Sequence, residues 1–108
     1  MLSGYRFMWL QVIFDLPVKT KSERKQATQF RTALLNLGFK MVQFSVYMKF
    51  VTSKEKAATL LSKIKIMLPI KGSVYVIQIT DKQYENIYGF IGKKEKNDLN
   101  KPEQLELF

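Results

Sequence analysis

The sequence predicts an α+β protein with a ferredoxin-like βαββαβ fold, in which both helices cover one face of a four-stranded antiparallel sheet. Two observations support this prediction. Four short segments are rich in β-branched and aromatic residues, and two longer segments show the apolar spacing of helices. The segments follow one another as strand, helix, strand, strand, helix, strand. A length of 108 residues suits one such domain with a sizeable core.

The first strand lies within residues 5–17, YRFMWLQVIFDLP, where Gln11 is the only polar residue between Phe7 and Phe14. A run this short and apolar is typical of a strand that is buried on both faces. Pro17 has no N–H group to donate to a central ladder, so the strand should end near Asp15. The Asp15 carboxylate is then expected at the rim of the sheet. The alternative is that Asp-x-Pro forms an ordinary strand-exit turn.

The first helix is predicted from Lys21 to Leu37. Thr20 or Ser22 can cap it, and Thr20 and Glu23 have the spacing of a capping box, in which each side chain accepts from the other residue's backbone N–H group. Gly38 follows where a left-handed C-terminal cap is needed. One face of this helix is apolar and carries Ala27, Phe30, Leu34 and Leu37.

The later elements are predicted from alternation, spacing and turn residues. Residues 39–50 contain two short strands that break at Ser45, with one long strand as the alternative. A helix from Lys54 to about Met67 ends before Pro69. A strand follows at Ser73–Thr80, then a short helical turn at 83–88 and a short extra C-terminal strand at 89–92. We place the domain at 1–92 and a C-terminal tail at 93–108.

Two residue types are absent, and their absence limits the chemistry. Without cysteine there are no disulfides or thiolate metal sites, and without histidine there is no histidine base or ligand. Any catalysis must therefore use carboxylates, lysines, tyrosines or a hard cation held by oxygen ligands. No apolar run approaches the length of a membrane span and no export signal is evident, which favours a cytoplasmic location.

The formal net charge of +9 favours a polyanionic partner, and nucleic acid is the first choice. An anionic membrane surface comes second, because no basic amphipathic helix with aromatic residues opposite is present. Two alternatives remain: a basic protein without such a partner, and a helix face that is merely solvated. The candidate phosphate-binding residues are Arg6, Lys19, Lys21, Arg24, Lys25 and Arg31.

The composition of the first and last strands predicts a homodimer with sheets packed face to face, or a larger partner in the same place. Both strands are apolar on both faces, but the helices can cover only one face of the sheet. The uncovered face, with Met8 or Trp9, Tyr75 and Ile77, would be a large exposed patch, which monomers avoid. A two-fold axis would bring the two copies of Asp15 together. A lone carboxylate binds Mg²⁺ poorly, but two such carboxylates can share one ion with waters.

The C-terminal tail is polar and charged until its last four residues, which include Leu105, Leu107 and Phe108. Alternating apolar residues at a terminus suggest a docking segment that adds a strand to a partner's sheet. The alternative is a plain disordered terminus.

Several motifs resemble the CRISPR-associated protein 2 family, most closely its members from type II loci. They are FDLP, then SERK, then FRTALLNLGFKMVQFSVYMK, and later ITDKQ. Their order and spacing cover about residues 6–88. The resemblance implies a ferredoxin-like homodimer that binds double-stranded spacer DNA and bridges copies of the CRISPR integrase during spacer acquisition.

The resemblance also implies a magnesium-dependent nuclease acting on RNA or DNA, with Asp15 as the catalytic metal ligand. The tail residues would dock on the integrase. The scaffold role is favoured over the enzymatic role, because the family pattern supplies no second strong catalytic group here. A toxin-type metal-dependent endoribonuclease, whose fold is similar, is the alternative function.

Overall fold

The computed structural model describes residues 7–92 and 94–95. The element order confirms the predicted βαββαβ arrangement and adds three short elements after it. The elements are β1 (Met8–Asp15), α1 (Lys21–Asn36), β2 (Lys40–Gln43), β3 (Val46–Val51), α2 (Lys54–Met67), β4 (Ser73–Thr80), α3 (Asp81–Glu85), β5 (Phe90–Ile91) and β6 (Lys94–Glu95).

The main sheet has the strand order β2-β3-β1-β4, and every pair in it is antiparallel. The strand β1 lies in the interior of the sheet and pairs with β3 on one side and β4 on the other. The predicted break at Ser45 is confirmed, because β2 and β3 are separate strands joined by a turn at 44–45. This is the ferredoxin-like fold.

The helix α1 begins with the predicted capping box. The Glu23 N–H donates to Thr20 Oγ1 over 3.0 Å, and the Thr20 N–H donates to Glu23 Oε1 over 3.0 Å. The helix ends at Asn36, one residue before the predicted end, and Gly38 follows with a φ of +96°. The helix α2 has the predicted bounds and is capped by Ser53.

The core lies between the two long helices and one face of the sheet. Leu10, Val12 and Leu34 are fully buried there. The apolar face predicted for α1 is confirmed, since Ala27, Phe30 and Leu34 are buried and Leu37 packs against the same cluster. Burial of this apolar surface is the main favourable contribution to folding.

Within the described part of the chain, the opposite face of the sheet, here called the open face, is covered only at one end. Our prediction that β1 is buried on both faces is correct for one face: Met8, Leu10, Val12 and Phe14 are buried, while Trp9 and Ile13 are half-buried. Met8 therefore points into the core, not to the open face. The short helix α3 crosses the far end, where its Tyr84 ring stacks on Trp9 at 3.8 Å.

The C-terminal elements lie close to their predicted places. The short helix begins at Asp81, earlier than expected, because Thr80 and Gln83 form a second capping box. The extra strand is present at Phe90–Ile91, and it pairs with β6 in a separate two-stranded sheet. This hairpin crosses the predicted boundary between 1–92 and 93–108. No helix in the described ranges is long and apolar enough to cross a membrane.

Candidate metal site and nucleic-acid interface

Asp15 is the last residue of β1, and its side chain is exposed on the open face. The register places it opposite Ser73 at the start of β4. Because side chains alternate along a strand, Asp15 shares its face with Ile13, Gln11 and Trp9. The predicted position of the carboxylate at the rim of the sheet is confirmed.

The backbone around Asp15 is held from both sides. On one side, the Phe14 N–H donates to the Ser45 carbonyl over 3.0 Å, which ties β1 to the β2–β3 turn. On the other side, Gly72 has a φ of +98° and lies against the carbonyl of Asp15. A Cβ atom on Gly72 would stand 2.6 Å from that oxygen and 2.8 Å from Leu16 Cδ2. The exit of β1 is therefore fixed by close packing.

The carboxylate of Asp15 is a hard oxygen donor of the kind that Mg²⁺ prefers. Among the described residues, no group of three or more His, Cys, Asp or Glu side chains could hold a metal ion. One chain thus contributes a single strong ligand at this place. The residues present fit Mg²⁺ only if a second copy brings its own Asp15 and waters complete the shell.

The open face next to Asp15 is apolar and exposed. The nearest row across the sheet consists of Ile13, its β4 partner Tyr75 and its β3 partner Val46. Tyr75 is 66% exposed, and Ile77 in the next row is 43% exposed. At the far end Trp9 is shielded by Tyr84, so the prediction that Trp9 is uncovered is wrong. The uncovered apolar surface lies toward the Asp15 end.

Three of the six predicted phosphate-binding residues are exposed lysines at the start of α1: Lys19, Lys21 and Lys25. Lys21 and Lys25 are four residues apart and so lie on one side of the helix. Both follow β1 and Asp15 closely in the chain. These side chains are available to solvent and can reach phosphate groups.

Arg24 has a structural contact in addition to its charge. Its Nη1 donates to the carbonyl of Val18 over 3.1 Å and to that of Lys19 over 3.0 Å. These bonds hold the loop between β1 and α1 against the first turn of the helix. A phosphate contact from Arg24 would therefore come from a guanidinium that is already positioned.

Arg31 is half-buried and does not lie with the lysines. Its guanidinium carbon stands 3.7 Å from the centre of the Phe44 ring and 5.9 Å from that of Phe14. Burial raises the pKa of Tyr47, and the charge of Arg31 partly opposes that rise. The Nε atom of Arg31 is buried and has no hydrogen-bond partner in the part of the chain that the structure describes.

The loop between α2 and β4 is attached to α1 by two contacts. The Ile70 N–H donates to Gln26 Oε1 over 3.4 Å, and Lys71 Nζ lies 3.9 Å from Glu23 Oε2. The Glu23 carboxylate also accepts the backbone N–H groups of Thr20 and Lys19. The bond from Thr20 is the main cause of the lowered pKa of Glu23, and Lys19 and the charge of Lys71 lower it further.

Four predicted site residues lie outside the described residues: Arg6, Leu105, Leu107 and Phe108. Three residues that contact predicted residues were not themselves predicted from sequence. Gly72 was assigned only to a turn, and nothing in the sequence shows that its Cα faces Asp15. Phe44 and Tyr84 acquire their roles through partners distant in sequence, Arg31 and Trp9, so only the tertiary structure reveals them.

Sheet topology and site together define a class: a basic ferredoxin-like domain with one carboxylate at the end of an interior strand, beside an incompletely covered sheet face. Comparison with known proteins is more specific. The family model for CRISPR associated protein Cas2 matches residues 8–87. That range includes every element from β1 to α3.

Curated relatives agree with the family match. A "CRISPR-associated endoribonuclease Cas2" from Paracidovorax avenae is 51% identical over 108 residues, which cover 100% of both chains. A protein of the same name from Flavobacterium psychrophilum is 46% identical, with 99% of this chain and 93% of the relative covered. Another from Ligilactobacillus salivarius is 42% identical, with 90% and 96% covered. The chain belongs to the Cas2 family of CRISPR systems.

Proposed function

We propose that this chain acts in CRISPR adaptation as a homodimeric scaffold, which binds spacer DNA and bridges copies of the integrase. We propose further that the dimer has a magnesium-dependent endoribonuclease activity centred on Asp15. The observation that carries the proposal is the position of Asp15, which stands on the open face directly beside exposed apolar residues. Contact between two open faces would cover that surface and bring two carboxylates to one place.

The dimer is supported by the surface that it would bury. Ile13, Val46, Tyr75 and Ile77 form two adjoining rows on the open face, and none of them is buried in one chain. Exposed apolar patches of this kind mark interaction sites in soluble proteins. A two-fold interface is self-complementary, so each copy covers the same patch on the other.

The enzymatic part is supported by the chemistry of the carboxylate and by the names of the relatives. The curated relatives are named endoribonucleases. When bound, Mg²⁺ would supply an activated water and would stabilise charge on a phosphate oxygen. Among the chain's own residues, Asp15 would hold that ion. Close packing of Gly72 keeps the backbone of Asp15 fixed.

The scaffold part is supported by charge. The excess of 18 basic over 9 acidic residues suits a polyanion, and Lys19, Lys21 and Lys25 are exposed in the segment that follows the strand carrying Asp15. Contacts from such side chains to phosphates neutralise charge without reading base sequence. Binding of duplex DNA should therefore be sensitive to salt and independent of sequence.

The enzymatic part is tested by Asp15→Asn, with Asp81→Asn as the matched control. Asp81 also follows a strand, but its Oδ1 accepts from Trp9 Nε1 over 3.2 Å at the far end of the open face. We expect Asp15→Asn to abolish magnesium-dependent cleavage of RNA while the dimer persists, and Asp81→Asn to retain cleavage. Cleavage that persists undiminished in Asp15→Asn would refute the assignment of the activity to Asp15.

The scaffold part is tested by gel filtration with the integrase of the same locus and a short DNA duplex. The variant replaces Leu105, Leu107 and Phe108 together by serine, which leaves the β5–β6 hairpin intact. We expect the native chain to form a ternary complex and the variant to bind duplex without integrase. No complex with the native chain would refute the scaffold role.

A further inference from the structure

We infer that Phe44 and Arg31 form a stacking site for one nucleobase, with the neighbouring phosphate held by the guanidinium. The site lies at the end of the sheet where β1 ends, on the side covered by α1. This inference rests on the proposed nucleic-acid binding and adds to it a specific contact. Neither Phe44 nor Arg31 is part of the proposed metal site.

The first observation is the exposure of Phe44. It lies in the turn between β2 and β3, and 65% of its surface is exposed. The Arg31 guanidinium covers one face of the ring at 3.7 Å. Most of the remaining exposure therefore belongs to the opposite face and the edge. A flat aromatic face that is open to solvent can stack on any base, because every base has a π-face.

The second observation is the state of Arg31. The Nε atom is buried without a hydrogen-bond partner, and no ion pair of Arg31 occurs within the described part of the chain. Its positive charge is therefore held in place by stacking between α1 and the turn, and no carboxylate of residues 7–92 forms an ion pair with it. A guanidinium positioned in this way can donate to phosphate oxygens with little loss of conformational freedom.

The third observation is the location of the pair. The turn that carries Phe44 is tied to β1 by the bond from the Phe14 N–H to the Ser45 carbonyl, at 3.0 Å. Phe14 immediately precedes Asp15, and its ring lies 5.9 Å from the Arg31 guanidinium carbon. The pair therefore lies at the same end of the sheet as Asp15, but on the side covered by α1, whereas the Asp15 side chain is on the open face. The ligand class is a nucleotide whose base is unpaired, since a paired base has both faces occupied by its neighbours.

The inference is tested with the full chain and a short oligonucleotide that carries 2-aminopurine, a base whose fluorescence falls when it stacks. The same oligonucleotide is measured single-stranded and in a duplex. Phe44→Leu removes the aromatic ring and keeps an apolar side chain, while Phe44→Tyr keeps the ring and serves as the matched control. Thermal melting checks that both variants fold.

We expect the native chain and Phe44→Tyr to quench the single-stranded probe. Phe44→Leu should bind that probe roughly tenfold more weakly, the loss expected for one stacked base, and should bind the duplex as the native chain does. Equal losses for both probes, or an unchanged affinity for the single strand, would overturn the stacking site. So would a native complex without quenching, a result that does not depend on the variants. If the native chain binds neither probe, the proposed nucleic-acid binding fails as well.

Discussion

Gly72 lies against the backbone of Asp15, and the two residues fix each other's position at the end of the sheet. A Cβ on Gly72 would approach the Asp15 carbonyl oxygen to 2.6 Å, which real Cβ atoms do not do, and the Leu16 Cα to 3.1 Å. This contact lies next to Ser73, the residue that pairs with Asp15. The loop between α2 and β4 thereby positions the candidate metal ligand.

The first prediction compares Gly72→Ala with Gly38→Ala. Both glycines have nearly the same φ, +98° and +96°, so both variants carry a similar backbone strain of about 1–3 kcal/mol. At Gly38 the new Cβ meets the flexible end of Lys49, whereas at Gly72 it meets backbone. We expect Gly72→Ala to lose more stability than Gly38→Ala. We expect only Gly72→Ala to lose magnesium-dependent cleavage. The measurements are urea unfolding and cleavage at saturating Mg²⁺. Equal effects of the two substitutions would contradict the positioning role.

The elements that were predicted well are those whose signals are local. Pro17 and Pro69 mark where β1 and α2 cannot continue, and the capping box at Thr20 and Glu23 fixes the start of α1. The alternation of β-branched residues gave the bounds of β4. These signals depend on backbone hydrogen bonding and on apolar periodicity within one segment, so they can be detected in a single sequence.

The features that could not be predicted depend on contacts between distant segments. Trp9 looks exposed in the strand pattern, but Tyr84 comes 75 positions later and covers it. Arg31 has the helical spacing of a solvated charge, yet the fold brings Phe44 over it. The role of Gly72 likewise follows only from the packing of two loops. The position of Asp15 at the rim of the sheet, in contrast, was predicted from local signals.

The second prediction concerns the proposed dimer and compares two substitutions of isoleucine by lysine. Ile77 lies on the open face and is 43% exposed, whereas Ile66 lies on α2 and is 84% exposed. A lysine at 77 would place two unpaired charges in the interface, at a cost of several kcal/mol per ion. We expect Ile77→Lys to sediment as a monomer and Ile66→Lys to remain dimeric. A dimer that survives Ile77→Lys would exclude this face as the interface.

The third prediction concerns the exposed lysines at the start of α1. Replacing Lys19, Lys21 and Lys25 together by alanine should weaken duplex binding for every sequence tested. Each lost phosphate contact should reduce the slope of log affinity against log salt by about 0.9. Fluorescence anisotropy over a range of salt concentrations measures both quantities.

The control for these lysines is a triple variant on α2, in which Lys56, Lys63 and Lys65 become alanine. It changes the net charge by the same amount but leaves the first turn of α1 intact. A similar loss in both triple variants would mean that only the overall charge matters. No loss in the α1 variant would remove these lysines from the interface.

The last prediction concerns pH and the Glu23 carboxylate. The Thr20 and Lys19 N–H groups and the Lys71 charge lower the pKa of Glu23 below its ordinary value of 4.5. A carboxyl whose pKa is lower when folded stabilises the protein above its unfolded pKa, and this stabilisation is lost as the pH falls through the folded pKa. Glu23→Gln keeps an oxygen that can accept from Thr20, as a capping box allows, but it removes the charge. We therefore expect the native chain to be more stable than Glu23→Gln near neutral pH.

That difference should shrink once the pH falls below 4.5, and it should vanish at pH values below the folded pKa of Glu23. Urea unfolding of both chains over this pH range measures it. Glu55→Gln is the matched control, because Glu55 is also an acidic residue in the first turn of a helix, while the cap of α2 is formed by Ser53 alone. The loss of stability in Glu55→Gln should be smaller than in Glu23→Gln, since Glu55→Gln removes only a favourable interaction with the helix dipole. A difference for Glu23→Gln that stays constant from neutral to acid pH would show that the carboxylate charge does not stabilise this end of α1.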